Sequence, residues 1–261
     1  SYQKNSVDAF QTLVAAFDDS FWHIRQIALE KIKFYEEKIS PKIVEKLKTI
    51  ALHDKNAKVR NAALYQLQDL QSVDLIDIFE KAIQDSSYQV SATALESLYD
   101  LSPQKALKIA KSLEECENSS IFNIVASIYA DVGHSEQQLY FEEQLAKSEV
   151  LQRYSIIDYY KDFLNNSNDT VVEKGLLALE NIALHDENWW IRLHATQAID
   201  NIKTRYTSKR NDLRDALKTK ITISNEQIEH LNTKINSMEA LIEQIKDKET
   251  DQKVLKFYHN L

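Results

Sequence analysis

A seven-residue frame recurs along this chain, and it limits the fold more than any other feature. Asp19-Ser20-Phe21-Trp22-His23-Ile24-Arg25 is followed by Ala28, Leu29 and Ile32. Asp54-Lys55-Asn56-Ala57-Lys58-Val59-Arg60 is followed by Ala63, Leu64 and Leu67. Asp186-Glu187-Asn188-Trp189-Trp190-Ile191-Arg192 is followed by Ala195, Thr196 and Ile199. A fourth copy opens at Asp85 with Val90, Ala94, Leu95 and Leu98, but Ser91 stands where arginine is expected. Asp19 to Asp54 is 35 residues, Asp54 to Asp85 is 31, and Asp85 to Asp186 is 101, about three units of 34. Six units therefore fit, and in the degenerate pair Ile121 to Ala130 and Val150 to Leu164 are expected as second helices.

Each unit reads as two helices. Positions +5, +9 and +13 from the aspartate share one face at a helical period. The aspartate lies just before that helix, where a carboxylate accepts backbone N–H groups and offsets the helix dipole. Alanine at +9 lets neighbouring helices approach closely. First helices show the same periodicity, as in Ile43, Leu47, Ile50 and Ala51. Ser40-Pro41 and Ser102-Pro103 mark helix starts, with proline at the first helical position. Gly133 suits a helix end, and Ser135 with Gln138 reads as a capping box for the next helix. With only two Gly and two Pro in 261 residues, hairpin turns are scarce and sheets are not expected.

The aspartate, the Val/Ile-Arg pair and the small residue resemble the HEAT-repeat family over about 200 of the 261 residues. The resemblance implies an all-α, right-handed alpha-alpha superhelix, a HEAT-like solenoid of about six helix pairs with a C-terminal helical cap. It also implies that aspartate and arginine hydrogen-bond along the stack: Asp19 and Arg25, Asp54 and Arg60, Asp186 and Arg192. Ser91 interrupts that ladder.

After Lys203 the pattern changes, so the solenoid is expected over 1–204 and a cap or helical hairpin over 205–261. A helix is expected from Ser208 to Lys220, then one from Asn225 to about Lys246. The latter carries Ile228, Leu231, Ile235, Met238, Ile242 and Ile245 at 3-4 spacing. Ser224 with Gln227 and Ile223 with Ile228 mark its start. A last short helix holds Val254, Leu255 and Tyr258. The seam would serve a dimer or cover the end of the stack. Repeat arrays need their terminal faces covered, so a monomer is expected.

Charge and chemistry bound the function. Net charge is -8, and from Lys203 onward 12 Lys or Arg face 9 Asp or Glu, a net of +3 that leaves -11 for the rest. A basic tail against an acidic body suits docking between the two. The run Lys203, Arg205, Lys209, Arg210, Arg214, Lys218 and Lys220 could meet phosphate, but no stacking aromatics accompany it, and no nucleic-acid partner is expected. No stretch approaches the roughly 20 apolar residues of a membrane span, so no membrane partner is expected. The single Cys116 forms no intrachain disulfide, and Glu114, Glu115 and Glu117 around it make a poor setting for a nucleophile. The seven histidines form no zinc-binding motif; His53 and His185 occupy equivalent repeat positions before a turn aspartate, where they close helix ends. No catalytic residue, metal ligand or cofactor is assigned. Trp22, Tyr88 and Trp189 share position +3, with Trp190 beside the last. They either plug the turns or form an aromatic strip for a partner, since aromatic residues are favoured as interface anchors.

The segment Asp18-Asp19-Ser20-Phe21-Trp22-His23-Ile24-Arg25 with Ala28-Leu29-Glu30-Lys31-Ile32, and the ending Ile245-Lys246-Asp247-Lys248-Glu249-Thr250 with Tyr258, resemble the C-terminal helical domain of bacterial zinc aminopeptidases of the membrane alanyl aminopeptidase family. The resemblance implies a non-catalytic scaffold shaping the substrate cavity of a larger enzyme. Zinc would belong to that enzyme's catalytic domain, because H-E-x-x-H is not present in this chain. The first residues, Ser1-Tyr2-Gln3, read as a truncated start, so any targeting segment would lie upstream and the compartment, cytoplasmic or periplasmic, is open. The alternative is an independent HEAT-repeat adaptor that binds a protein or peptide along its concave face.

Overall fold

The computed structural model describes residues 2–32, 39–147, 149–218 and 225–258. Among them the chain is all-α and built of HEAT-like helix pairs. The first compact unit, Ser1–Ile128, holds α1 (Tyr2–Ala15), α2 (Trp22–Lys31), α3 (Pro41–His53), α4 (Ala57–Gln68), α5 (Ile76–Ala82), α6 (Tyr88–Leu101) and α7 (Pro103–Lys111). Helix α8 (Ser119–Val132) begins in it and ends in the second unit, Tyr129–Leu261. That unit holds α9 (Gln138–Lys147), α10 (Val150–Asn166), α11 (Asp169–His185), α12 (Trp189–Lys218), α13 (Asn225–Lys248) and α14 (Gln252–Tyr258).

In the first unit α3 packs on α4 and α5 on α6, while second helices stack on one another, α2 on α4 and α4 on α6. The second unit repeats the arrangement: α11 packs on α12, and α10, α12 and α14 form the row of second helices. The frame's alanines sit where this stacking needs them. Ala28, Ala63, Ala94 and Ala195 are buried, as are the apolar residues at +13, Ile32, Leu67, Leu98 and Ile199. A larger side chain at +9 would hold the helices apart. The expected second helices of the degenerate pair are α8 and α10.

Helix starts follow the sequence in place and differ in detail. Pro41 and Pro103 open α3 and α7, as proline without an N–H can, but the hydroxyls of Ser40 and Ser102 make no capping bond. The capping box falls at His134 and Gln137 rather than Ser135 and Gln138: Gln137 Oε1 accepts the His134 N–H at 2.7 Å. Gln138 is instead buried, its amide 3.2 Å from the Tyr160 hydroxyl. Gly133 follows α8, and a Cβ there would lie 2.4 Å from the Tyr129 carbonyl oxygen, so only glycine fits.

The tail departs from expectation once. There is no separate helix from Ser208 to Lys220, because α12 continues for 30 residues from Trp189 to Lys218, through the position between 204 and 205. Nothing between Lys203 and Ser208 breaks a helix, and buried Ile202 and Tyr206 carry its apolar face onward. Helices α13 and α14 form the expected C-terminal cap: α13 packs on α12 and α11, and α14 packs on α12. All six seam residues of α13, Ile228 to Ile245, are buried inside this chain, where α13 packs on α12 and α11. The proposed start signals Ile223 and Ser224 lie outside the described residues, as do Lys220 and His259. Among the described residues no helix is long and apolar enough to cross a membrane.

Candidate protein-binding surface

The recurring arginine is the fourth residue of its helix, four after the cap, and reaches in two directions. Arg25 Nη1 donates to the Asp19 carbonyl at 2.8 Å, closing its own turn. Its Nε and Nη2 donate to Asp54 Oδ2 and Oδ1 at 2.7 and 2.8 Å, in the following helix pair. Arg60 does the same: 2.8 Å to the Asp54 carbonyl, then 2.6 Å to each oxygen of Asp85. Arg192 binds the Asp186 carbonyl at 2.9 Å and both oxygens of Glu249 at 2.9 Å. The planar guanidinium suits this two-pronged grip on a carboxylate.

The acceptors are equally regular. Asp19, Asp54, Asp85 and Asp186 each take the N–H two residues on, from Phe21, Asn56, Ser87 and Asn188, at 2.8 Å. Burial opposes the charge of Asp54 and Asp85, but the guanidinium and the backbone N–H outweigh it and hold both carboxyls below the usual range. Glu249 is lowered by the same balance. Ser91, at the arginine position of α6, turns back and donates to the Ile83 carbonyl at 2.6 Å, so the relay ends at Asp85 in this part of the chain.

Two members of this relay escaped the sequence reading. Arg153, fourth residue of α10, pairs with Asp186 at 3.1 Å although the rest of the frame around it is lost. Glu249 stands in for the turn aspartate ahead of α14, in the C-terminal cap. Asp251 then caps α14 as Asn56 caps α4, and Lys253-Val254 stands where Lys58-Val59 does. The repeated Lys-Val dipeptide behind an Asn or Asp was the available signal.

The aromatic residues divide by exposure. Trp22 and Trp189 are half-buried, each beneath a lysine of the helix stacked next: Lys58 Nζ of α4 lies 5.5 Å from the Trp22 ring and Lys253 Nζ of α14 5.4 Å from Trp189. These are cation–π contacts within the repeat. Tyr88, 55% exposed, and Trp190, 42% exposed, face solvent. Trp190 stacks at 6.2 Å on Tyr154, which stacks at 3.8 Å on His194, with Asp158 3.3 Å from the imidazole. His53 and His185 are the last residues of α3 and α11, as expected for helix ends.

The basic run on α12 is largely occupied. Lys203 pairs with Asp200, Arg205 donates to the Leu164 carbonyl at 3.4 Å, and Arg210 and Arg214 each reach Asn232 Oδ1 at 3.4 Å. Lys203 thus meets an acid of its own helix, and the three arginines meet a backbone carbonyl or a polar side chain.

A groove of about 620 Å³ opens between α11 and α13 in the second unit. Leu176, Leu177, Met238 and Leu241 line it, with Glu173 and Glu180 along one wall. Asp169 holds one end, accepting from the Tyr206 hydroxyl at 2.7 Å and lying 2.6 Å from His230 Nε2; Lys234 pairs with Glu173. Leu177 is exposed and extends the groove's apolar lining toward solvent. Among the described residues no three His, Cys, Asp or Glu converge in a metal-binding arrangement.

No family model matches the chain, and no curated protein matches it. Among solved structures, the chain is similar to an archaeal HEAT-like repeats protein from Thermococcus onnurineus NA1 (15% identity, 90% of this chain and 97% of that one, TM-score 0.40). It is similar to the CpcE–CpcF complex of phycocyanin lyase from Nostoc sp. PCC7120 (15%, 88% and 94%, TM-score 0.45). It also resembles a designed armadillo repeat protein in complex with the peptide (KR)4 (16%, 95% and 95%, TM-score 0.44).

Proposed function

We propose that this chain is a helical-repeat scaffold that binds a protein or peptide segment in the groove between α11 and α13. The supporting observation is an open apolar floor beside carboxylates, on helices whose other faces are fixed in the core. The fitting ligand is an amphipathic segment that inserts one or two aliphatic side chains and sets a basic side chain against Glu180. A photo-crosslinking residue at position 177 should capture one defined species from native extract, and position 174, on the outer face, should not. Leu241→Asp should abolish that capture with Tm unchanged. Equal labelling from both positions would sink this reading.

The finer reading is an accessory domain of a zinc aminopeptidase, and it rests on the resemblance of 18–32 and of 245–250 with Tyr258. Asp19, Arg25 and Trp22 have repeat roles that any array with this frame would show, as do Glu249 and Tyr258, so the resemblance does not itself favour the enzyme. Adding the chain to the H-E-x-x-H domain of such an enzyme tests it: selectivity for substrate length should change, and an unaltered profile rejects the pairing.

A further inference from the structure

Where the frame keeps an aliphatic residue at position +5, it is sealed in every copy but one, and in α10, where Gln152 takes the place, it is half-buried. Val59, Val90, Ile191 and Val254 are each 0% exposed, whereas Ile24 is 40% exposed. The residue three further on behaves alike: Ala62, Thr93 and His194 are buried, and Ile27 is 37% exposed. Four residues beyond that, Gln66, Ser97 and Ala198 are buried, while Lys31 is exposed. In the short helix α14 only the first position holds, since Phe257 is half-exposed. Ile24, Ile27 and Lys31 lie at i, i+3 and i+7, one stripe of α2. In α4, α6 and α12 the preceding second helix packs against the helix carrying this stripe. Val254 is sealed although no helix follows α14 among the described residues, so the cover comes from the preceding side.

The turn acid gives the same asymmetry. Asp54, Asp85, Asp186 and Glu249 each receive an arginine from an earlier helix. Asp19 is exposed and takes the Phe21 N–H, and no arginine precedes Arg25 in the chain to grip it as Arg25 grips Asp54.

We propose that Asp19 with the Ile24–Ile27–Lys31 stripe is a docking edge for one more helix pair lying outside residues 1–261. Its second helix carries an aliphatic or small-residue stripe against Ile24 and Ile27. Its fourth residue is an arginine that grips Asp19 as Arg25 grips Asp54, and a carboxylate meets Lys31. A second copy of this chain stacked head to tail does not meet the requirement, because the fourth residue of α14 is Leu255, which has no guanidinium.

The test uses this chain's own material as the probe. Residues 39–75, which hold α3, α4 and the connector to α5, are grafted ahead of Ser1, so that Arg60 of the grafted copy faces Asp19. Hydrogen exchange over 22–31 is expected to slow at least tenfold and Tm to rise. Asp19→Asn, or Arg60→Leu in the grafted copy alone, should remove most of the gain, and the two together should remove no more. Exchange in α2 that stays unchanged, or a gain indifferent to Asp19→Asn, overturns the proposal. A second measurement needs no graft. Ile24→Glu in the chain itself should leave Tm nearly unchanged, whereas Val59→Glu should unfold the first unit. If Ile24→Glu is as damaging as Val59→Glu, or if it dissociates a dimer seen by light scattering, the edge is already covered and the proposal falls.

Discussion

At the scale of single residues, the relay arginines are the sharpest test of how this chain is held. Arg60 grips Asp85 with both groups mostly buried, so removing the guanidinium leaves a carboxylate without its counter-charge. Arg60→Met is expected to cost about 2–4 kcal/mol, read as a fall in the denaturant midpoint with unchanged slope. Arg60→Lys should recover only part of it, since an ammonium cannot span two oxygens. The acids make a second prediction. Asp54, Asp85 and Glu249 titrate below their ordinary range in the folded chain. The unfolded chain therefore binds protons first as pH falls. Stability from these pairs is complete above about pH 4–5 and drains away as pH drops through the folded values. Tm measured from pH 7 to pH 2.5 should fall steeply at the acid end, and Asp85→Asn should both lower the neutral plateau and flatten that fall. The sequence made Asp19, Asp54 and Asp186 readable with their arginines, because type and spacing recur together. Arg153 could not be read that way: it keeps the helix position but none of its neighbours, and only packing brings it to Asp186.

Among helices, the useful contrast is between α11 and α13. Gly175 lies where α10 and α11 touch, and a Cβ there would meet Leu164 Cδ2 at 2.3 Å. Alanine normally gains up to about 1 kcal/mol over glycine inside a helix. Here the crowding reverses the sign, and Gly175→Ala should destabilise by about 1–2 kcal/mol in thermal unfolding. The periodicity of α13 was legible to within two residues at its end, since six apolar residues at 3-4 spacing admit one face only. Its partner was not legible. A seam of that kind looks the same whether it meets another chain or its own neighbour, and the choice is made by α11 and α12. The extent of α12 was hidden for a different reason. Its frame ends near Ile199, but helix persists to Lys218 because no breaker intervenes and Ile202 and Tyr206 keep one face buried. That extension, with the 24 residues of α13, puts 63 positions between Asp186 and Glu249, where the earlier copies lie 31 or 35 apart. A partial copy of the frame displaced that far, into the cap, is invisible to a search at a fixed period.

For the molecule as a whole, the C-terminal cap contributes its acid and its buried residues to α12. Tyr258 sits within 2.9 Å of the Thr196 hydroxyl, and Val254 is sealed. Truncation after Lys248 is expected to strand Arg192 and lower Tm by roughly 5–10 °C, seen by calorimetry. Glu249→Gln should reproduce a smaller share of that drop, because the cap remains. Since each relay arginine grips a turn acid nearer the carboxyl end of the chain, the sequence of units has a direction, like plugs and sockets on a row of adaptors. Duplicating the unit of α3 and α4 in frame keeps each junction matched, because Arg60 of one copy meets Asp54 of the next, whereas duplicating that of α5 and α6 sets Ser91 against an acid it cannot satisfy. Such a chain can lengthen by copying itself, and its two extremities can never substitute for each other.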